Sequence, residues 1–388
     1  MIKEIPLYEP YLKKEDVKYI SKAINQRWVS TSGKNISVFE KKISTFVNSK
    51  YALALNSGTS SLDIALKCLG VGYGHLVLAP TVTFVAPINS ILYNGAEPVF
   101  FDCDDYLNIN TEDILLFLKT KTKKKNNRLF CSQTGKLIKA IILVHVYGVP
   151  AKIFDLKKIC KKFQIKIVED ASESLGSYII YKNKKIHTGT IGDIGCFSFN
   201  GNKLITTGSG GMIVTNIKKH FLEAKFLSSQ SKNDPLYFIH NEVGYNYRMN
   251  NLSASLGISQ LEKINFFLKK KKNDHNLYVK KLYYNNNFEI LQPPINVIAN
   301  NWLNLIKIKK KINRKKFFKI ISAFHENKIY VRPLWYPNHL QKYLKKYKKF
   351  RLLKIIKLMN NIICLPSSVD LKKEQINYVI NFIKKLKI

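Results

Sequence analysis

The chain has 388 residues, of which 46% are hydrophobic and 12% aromatic, and this composition predicts a folded globular protein large enough for two domains rather than a disordered one. Its apolar runs are too short to cross a bilayer, and its first residues lack the apolar core of a signal peptide. We therefore expect a soluble, cytoplasmic protein with no membrane partner.

The formal net charge of +38 raises the alternative of a nucleic-acid-binding protein, because so large a field attracts polyanions. Lysine is spread along the whole chain, however, and arginine, which reads bases and grips phosphates in bidentate fashion, is rare. This pattern is typical of the compositional bias of an AT-rich genome, so we expect no nucleic-acid partner. The six cysteines lie far apart without metal-ligand spacing, which predicts reduced thiols and no metal.

The first two thirds of the chain alternate between short apolar segments and amphipathic ones. Helices are predicted at residues 14–24 and 38–46, and buried strands at residues 51–55, 76–80, 97–102, 140–146 and 165–168. Because helical segments separate these strands, we expect right-handed crossovers and a largely parallel sheet that helices cover on both faces. Lysine-rich residues 119–127 predict a solvated, mobile loop.

The last third of the chain is richer in lysine. It predicts a long helix and then short strands and helices, at residues 252–272, 288–290, 303–308, 315–325 and 372–386. We therefore predict an α/β protein with a large domain and N-terminal arm over residues 1–251 and a smaller C-terminal α/β domain over residues 252–388.

Candidate ligand-binding residues follow the predicted strands. Ligands of parallel α/β sheets bind at the carboxyl ends of the strands. Gly58 opens a turn of small residues before a helix whose N-terminus can attract an anion, and Asp170 follows the fifth strand. Phe84 lies just past the second strand, where an aromatic ring can stack on a planar ligand. Taken singly, these residues are equally typical of helix caps and of core packing.

The stretch over residues 198–212 places Lys203 between two turns that favour an anion. Ser198 can hydrogen-bond a phosphate, and the glycines at Gly208, Gly210 and Gly211 allow close approach of the backbone to a ligand. Pyridoxal phosphate (PLP) needs an amine beside an anchored phosphate and a carboxylate for its pyridinium nitrogen. Because lysine is so common in this chain, the prediction depends on the residues around Lys203 and not on the lysine itself.

In combination, these residues resemble the PLP-dependent nucleotide-sugar aminotransferases of fold type I, the DegT/DnrJ/StrS type. The resemblance spans nearly the whole chain, and residues 171–176, 200–203 and 332–337 are most similar to the branch that serves legionaminic-acid-type sugar synthesis. The resemblance implies a large domain with a mostly parallel, seven-stranded type of sheet. It implies cofactor contacts from Gly58, Thr59, Phe84, Asp170, Glu173, Ser198, Lys203 and Asn246.

The resemblance also implies a role for each of these residues. Lys203 and Asp170 are the expected catalytic residues, since Lys203 matches the Schiff-base lysine and Asp170 pairs with the pyridine nitrogen. Phe84 would stack on the ring, and Glu173 occupies a position near the phenolic oxygen of the cofactor. Asn246 matches an asparagine that reaches the cofactor phosphate of the neighbouring subunit, which implies a homodimer with shared active sites.

The activity implied by the resemblance is transfer of an amino group from L-glutamate to the 4-keto carbon of a UDP- or GDP-linked 4-keto-6-deoxy sugar. The products would serve surface polysaccharides with nonulosonate (legionaminic-acid-type), bacillosamine or perosamine-like sugars. Loops around Trp28, His187, Trp335 and His339 are expected to shape the substrate pocket. The alternatives are a PLP-dependent sugar dehydratase of the same fold, which generally has histidine in place of the lysine, and a basic nucleic-acid-binding protein.

Overall fold

A ten-stranded sheet forms the centre of the computed structural model, which describes residues 4–234 and 236–386. Its strands lie in the spatial order β1 (Tyr51–Leu55), β11 (Gly211–Thr215), β10 (Ile194–Ser198), β7 (Lys166–Asp170), β6 (Leu137–Val144), β2 (His75–Pro80), β3 (Glu97–Phe101) and β18 (Lys348–Phe350). The hairpin of β4 (Thr122–Lys125) and β5 (Arg128–Cys131) is attached to β6.

All neighbouring strands from β10 to β18 in this order run parallel, and β11 runs antiparallel to both β1 and β10. The carboxyl ends of the parallel strands therefore meet at one edge of the sheet. The amino end of β11 joins them there, because Leu55 and Ser198 are both in register with Gly211. The predicted mostly parallel α/β sheet is thereby confirmed.

Helices cover both faces of the sheet because successive strand residues point in opposite directions. The N-terminal helices are α1 (Lys14–Asn25), α2 (Lys34–Val47), α3 (Gly58–Cys68), α4 (Ala86–Tyr93), α5 (Thr111–Thr120), α6 (Phe154–Phe163) and α7 (Lys218–Ser228). In β2, Val77 belongs to an apolar cluster with helices α3, α4 and α7, and its neighbours Leu76 and Leu78 belong to one with α5 and α6.

A second, antiparallel sheet lies in the C-terminal part of the chain, with the strand order β14 (Phe288–Ile290), β16 (Asn304–Ile308), β19 (Ile362–Leu365) and β17 (Arg332–Pro333). Residues of three helices share its apolar cluster, which places a separate core between this sheet and the helices. The helices of this part are α8 (Asn251–Glu262), α9 (Ile264–Leu282), α10 (Arg314–Glu326), α11 (Lys354–Leu358) and α12 (Lys373–Lys385).

Two small sheets complete the structure, one of β8 (Tyr178–Tyr181), β9 (Lys184–His187) and β15 (Val297–Ile298), the other a hairpin of β12 (Lys232–Asp234) and β13 (Ile239–His240). Strands β15 and β18 lie beyond residue 251 but pair with β8 and β3, which lie before it. The two predicted domains are therefore joined by strand pairing as well as by the chain. Within residues 4–234 and 236–386, no helix has both the length and the apolarity needed to span a bilayer.

Two predictions of secondary structure were wrong. The predicted loop at residues 119–127 contains β4, whose lysines pair with β5 in an exposed hairpin, and a run of lysines carries no signal for that pairing. The predicted single helix over residues 252–272 is two helices that meet at Lys263, and the second continues to Leu282. Apolar periodicity did not reveal the break because both helices bury residues on either side of it.

Candidate active site

A cavity of about 760 Å³ opens at the edge where the carboxyl ends of the strands meet. Eight of the residues predicted from the sequence line this cavity: Gly58, Thr59, Phe84, Asp170, Glu173, Ser198, Lys203 and Trp335. They come from five different strand ends and loops, so the topology of the sheet brings them together.

The first turn of α3 forms one end of the cavity. Ser57 caps this helix, since its Oγ accepts a hydrogen bond of 3.0 Å from the N–H of Ser60. Other first-turn N–H groups have no partner within a helix and are available to an anion. A Cβ atom at Gly58 would lie 2.8 Å from Ser198 Cβ and 3.4 Å from Ser172 Oγ. Glycine therefore keeps open a space that two hydroxyl side chains border, which suits a phosphate group.

Lys203 lies on the loop between β10 and β11, with its side chain 13% exposed. Its Nζ is 3.3 Å from Glu173 Oε1 and 4.3 Å from the centroid of the Trp302 ring. Its main-chain carbonyl accepts a hydrogen bond of 3.0 Å from the Tyr8 hydroxyl. The amine is thus held inside the cavity by a carboxylate and an aromatic face, and it remains open to a ligand on its other side.

Two buried carboxyl groups lie near this amine. Asp170 ends β7, and its Oδ1 accepts a hydrogen bond of 3.0 Å from Ser172 N. Burial raises the pKa of Asp170 despite that hydrogen bond. Burial also raises the pKa of Glu173 to about 7, against the opposing effect of Lys203. Desolvation outweighs ion pairing for Glu173, so this carboxyl group can hold or release a proton near neutral pH.

The conformation of Tyr147 determines where Glu173 points. Tyr147 is 2% exposed and has a φ of 53°, in the left-handed region that costs energy for a bulky residue. In this conformation its N–H donates a hydrogen bond of 2.8 Å to Glu173 Oε2. Its ring stacks on Trp335, with centroids 4.4 Å apart. The strained backbone conformation of Tyr147 therefore goes together with the position of the Glu173 carboxyl group in the site.

Phe84 forms the more open side of the cavity. Its side chain is 58% exposed, and its ring meets the edge of Trp335 with centroids 6.4 Å apart. An exposed phenyl ring beside a cleft is costly unless a ligand covers it, which suits stacking on a planar cofactor ring. Together with the cradle at Gly58, the carboxylate of Asp170 and the amine of Lys203, this ring completes a set of residues that fits PLP.

Four predicted residues do not line this cavity. Trp28 lies on an exposed loop. His187 and His339 are buried, and each is bonded within the protein: His187 Nε2 accepts a hydrogen bond of 2.8 Å from Gly176 N, and His339 Nδ1 is 2.6 Å from Thr81 Oγ1. Burial lowers the pKa of both histidines to about 4. They act here as neutral core groups, so we do not retain the expected substrate contacts of His187 and His339, whereas that of Trp28 stays a prediction.

The fourth of these residues, Asn246, is exposed and lies outside the cavity of its own chain. Sequence reasoning also missed several wall residues, of which three are large aromatic ones: Tyr8, Tyr147 and Trp302. Tyr147 follows the end of β6 at the ligand edge, and that position could have identified it. Tyr8 and Trp302 come from the N-terminal arm and the C-terminal part, and nothing in their local sequence indicates a site.

The chain is similar to known aminotransferases. Residues 10–384 match the DegT/DnrJ/EryC1/StrS aminotransferase family. The chain is 32% identical over 380 residues to a GDP-perosamine synthase of Escherichia coli O157:H7, with 97% of each chain covered. It is 32% identical over 283 residues to a UDP-4-amino-4,6-dideoxy-N-acetyl-beta-L-altrosamine transaminase of Campylobacter jejuni subsp. jejuni serotype O:23/36 (strain 81-176), with 72% of this chain and 70% of that one covered.

The fold is also similar to that of Helicobacter pylori PseC, an aminotransferase involved in the biosynthesis of pseudoaminic acid. The TM-score is 0.86 at 27% identity, and 99% of each chain is covered. The predicted family, the fold type I architecture and the PLP cofactor are confirmed. The chain therefore belongs to the DegT/DnrJ/EryC1/StrS family of PLP-dependent sugar aminotransferases.

Proposed function

We propose that this enzyme transfers the amino group of L-glutamate to the 4-keto carbon of a nucleotide-linked 4-keto-6-deoxy sugar. The observation that carries the proposal is Lys203, whose amine lies inside the cavity 3.3 Å from Glu173 and at the same strand edge as the anion cradle of α3. The similar proteins named as a GDP-perosamine synthase and a UDP-linked aminosugar transaminase support a nucleotide-sugar substrate with either nucleotide.

Each residue has a distinct role in this proposal. When bound, PLP supplies a ring that accepts electrons from the reacting carbon. Lys203 would hold the cofactor and move the proton at that carbon, and Asp170 would keep the ring nitrogen protonated. Gly58, Thr59 and Ser198 would bind the phosphate. Phe84 would fix the plane of the ring.

Glu173 has the role of a proton-holding neighbour of Lys203. Its Oε1 contacts Nζ, and its pKa of about 7 allows it to take the proton that Lys203 releases when the amine becomes a base. A carboxyl group at this position would also lie near the phenolic oxygen of the cofactor. A protonated carboxyl group could donate a hydrogen bond there, whereas an ionised one could only accept.

The open side of the cavity suits the substrate. It is lined by Arg332, Trp335 and Tyr336, a cation and two aromatic residues that can bind a diphosphate and a flat base. The net charge of +38 would also attract a substrate with two negative charges. This end of the cavity is therefore the proposed nucleotide-sugar side.

We further propose that the enzyme is a homodimer in the cytoplasm. Asn246 is exposed and pairs with Ser229 near the β12–β13 hairpin, on which Leu236, Tyr237, Phe238 and Ile239 are also exposed. Such a cluster of exposed apolar residues is typical of a protein interface. The six cysteines are free, which agrees with a reducing compartment.

The test is incubation of the holoenzyme with a panel of UDP- and GDP-linked 4-keto-6-deoxy sugars and with L-glutamate that carries a heavy nitrogen isotope. We expect one sugar to take up the isotope, as read by mass spectrometry. Legionaminic-acid-type, bacillosamine-type and perosamine-type precursors belong in the panel. Failure to label any sugar, with an active control aminotransferase in parallel, would contradict the proposed substrate class.

The role of Lys203 has a separate test. Borohydride should trap the cofactor on Lys203 and on no other residue, as located by peptide mapping. Lys203→Ala should abolish turnover but keep part of the cofactor affinity, because the phosphate and ring contacts lie on other residues. Wild-type turnover in Lys203→Ala would exclude this lysine from the reaction.

A further inference from the structure

Lys271 on α9 is 1% exposed, although lysine is almost never fully buried without a partner of opposite charge. Its ammonium group donates a hydrogen bond of 2.7 Å to the carbonyl oxygen of Trp302 and another to the carbonyl oxygen of Ser367. Among residues 4–234 and 236–386, no carboxylate forms an ion pair with it. A buried charge is costly, so these two carbonyl groups are what makes this position tolerable.

The first carbonyl group belongs to a wall of the active-site cavity. The indole ring of Trp302 lies 4.3 Å from Lys203 Nζ. Its Nε1–H donates a hydrogen bond of 2.7 Å to the carbonyl oxygen of Asn202, the residue before Lys203. Lys271 therefore holds the main chain of the residue whose side chain packs against the reactive amine.

The second carbonyl group leads to Lys203 through the N-terminal arm. The N–H of Ser367 donates a hydrogen bond of 2.8 Å to the carbonyl oxygen of Leu7. The next residue, Tyr8, has its ring centroid 5.2 Å from Lys271 Nζ, and its hydroxyl group bonds the carbonyl oxygen of Lys203. Three segments that are far apart in sequence thus meet at one ammonium group, and two of them contact Lys203.

We propose that Lys271 is a positioning residue for Lys203, which acts through Trp302 and Tyr8 and touches neither cofactor nor substrate. This inference rests on the proposed role of Lys203. No other described residue bonds both the Trp302 carbonyl and the Ser367 carbonyl. Loss of the Lys271 amine therefore leaves these two carbonyl groups without their shared hydrogen-bond donor.

The protonation state of Lys271 sets the strength of this link. The titratable groups around it are Lys270, Asp274 and His275 on α9, Tyr8 on the arm, and Asp370 near Tyr8 after β19. Lys270 and Asp274 pair with each other. Burial lowers the pKa of Lys271 to about 7, so the ammonium form, with its stronger charge-assisted hydrogen bonds, is lost as pH rises above that value.

The test compares Lys271→Met with Lys272→Met, which removes an exposed lysine from the next position of the same helix. The dissociation constant of PLP is measured by absorbance below and above the pKa of Lys271. We expect Lys271→Met to bind PLP about tenfold more weakly than wild type at low pH, the loss of one hydrogen bond from a charged donor, and to approach wild type at high pH. Lys272→Met should match wild type throughout.

Two results would overturn the inference. One is wild-type affinity of Lys271→Met at every pH, and the other is a loss of equal size at every pH with a lower unfolding temperature, which would indicate a structural role only. If Lys271→Met does not fold, Lys271→Gln, which keeps a neutral hydrogen-bond donor, replaces it in the same measurement of PLP affinity against pH. Absence of borohydride-trapped cofactor on Lys203 of the wild type would instead refute the proposed role of Lys203, and with it the inference.

Discussion

Two carboxyl groups and one amine share the buried end of the cavity, and burial is the main reason why the pKa of Glu173 is raised. Asp170 and Glu173 are each nearly inaccessible to water, and the charge of Asp170 adds to the rise in the pKa of Glu173. The ammonium group of Lys203 opposes that rise but does not cancel it. Near neutral pH, one of the carboxyl groups is therefore ready to take a proton, and Glu173, with its pKa of about 7, is that group.

This arrangement predicts a pH-dependent stability. Because the pKa of Glu173 is raised from 4.5 to about 7, its contribution to the free energy of unfolding is fully present below pH 4.5 and is lost as pH rises through 7. The loss amounts to about 3 kcal/mol. Glu173→Gln cannot ionise, so unfolding of the PLP-free variant in urea should show a decline smaller by about that amount over the same range.

Glu374→Gln, which changes an exposed carboxyl group on α12, is the matched control and should decline with pH as the wild type does. An identical decline in Glu173→Gln and in wild type would show that folding does not raise the pKa of Glu173.

At the scale of elements, the first turn of α3 is the proposed binding place of the cofactor phosphate. A helix N-terminus attracts an anion only where the backbone can be approached, and Gly58 provides that access. Strand β10 brings Ser198 against the same turn. A strand and a helix from distant parts of the chain therefore border the same proposed phosphate site. The loop that carries Lys203 leaves from that same strand end.

We predict that Gly58→Ala weakens PLP binding at least about tenfold, equivalent to about 1.4 kcal/mol. The new methyl group would lie 2.8 Å from Ser198 Cβ and would fill the space next to the phosphate. Gly72→Ala is the control, since its Cβ would meet only Asn94 O at 3.9 Å. Equal PLP titrations for the two variants, both folded by circular dichroism, would show that the phosphate binds elsewhere.

At the scale of the whole molecule, the proposed dimer makes a prediction that the single chain cannot test. If Asn246 serves the partner's cofactor, Lys203→Ala and Asn246→Asp subunits should each be inactive alone. A mixed dimer should regain activity, because one of its sites combines an intact Lys203 with an intact Asn246 of the partner chain. The measurement is the amino-transfer rate after the two variants are unfolded and refolded together. Continued inactivity of verified mixed dimers would mean that Asn246 acts within its own chain or not at all.

The net charge of +38 belongs to the whole surface, and we expect it to behave as a diffuse field. Duplex DNA should bind only loosely and lose affinity steeply with salt, because counterion release drives such binding. Amino transfer should slow only modestly up to about 0.2 M salt, where surface charges are screened. Parallel titrations of rate and DNA affinity test this. Sequence-selective DNA binding that persists at that salt concentration would reveal a second function of the surface.

The sequence alone determined five strands of the central sheet, its ligand edge and most of the residues that we propose to contact the cofactor. Short apolar strands that alternate with helices require crossovers, and crossovers require a parallel sheet whose carboxyl ends meet at one edge. Gly58 and Asp170 could be found because each follows a strand that is visible in the local pattern, and Ser198 and Lys203 because the stretch over residues 198–212 combines a serine, a lysine and glycines. Recognition of the family depended on those same local stretches.

The tertiary structure decided the rest. Tyr8 and Trp302 reach the cavity from segments nearly 300 residues apart, and contacts over such separations leave no periodicity in the sequence. His187 and His339 looked like site residues until packing showed that their ring nitrogens are bonded inside the core. Whether a polar side chain faces a ligand or another residue depends on what packs against it, and only the folded chain supplies those neighbours.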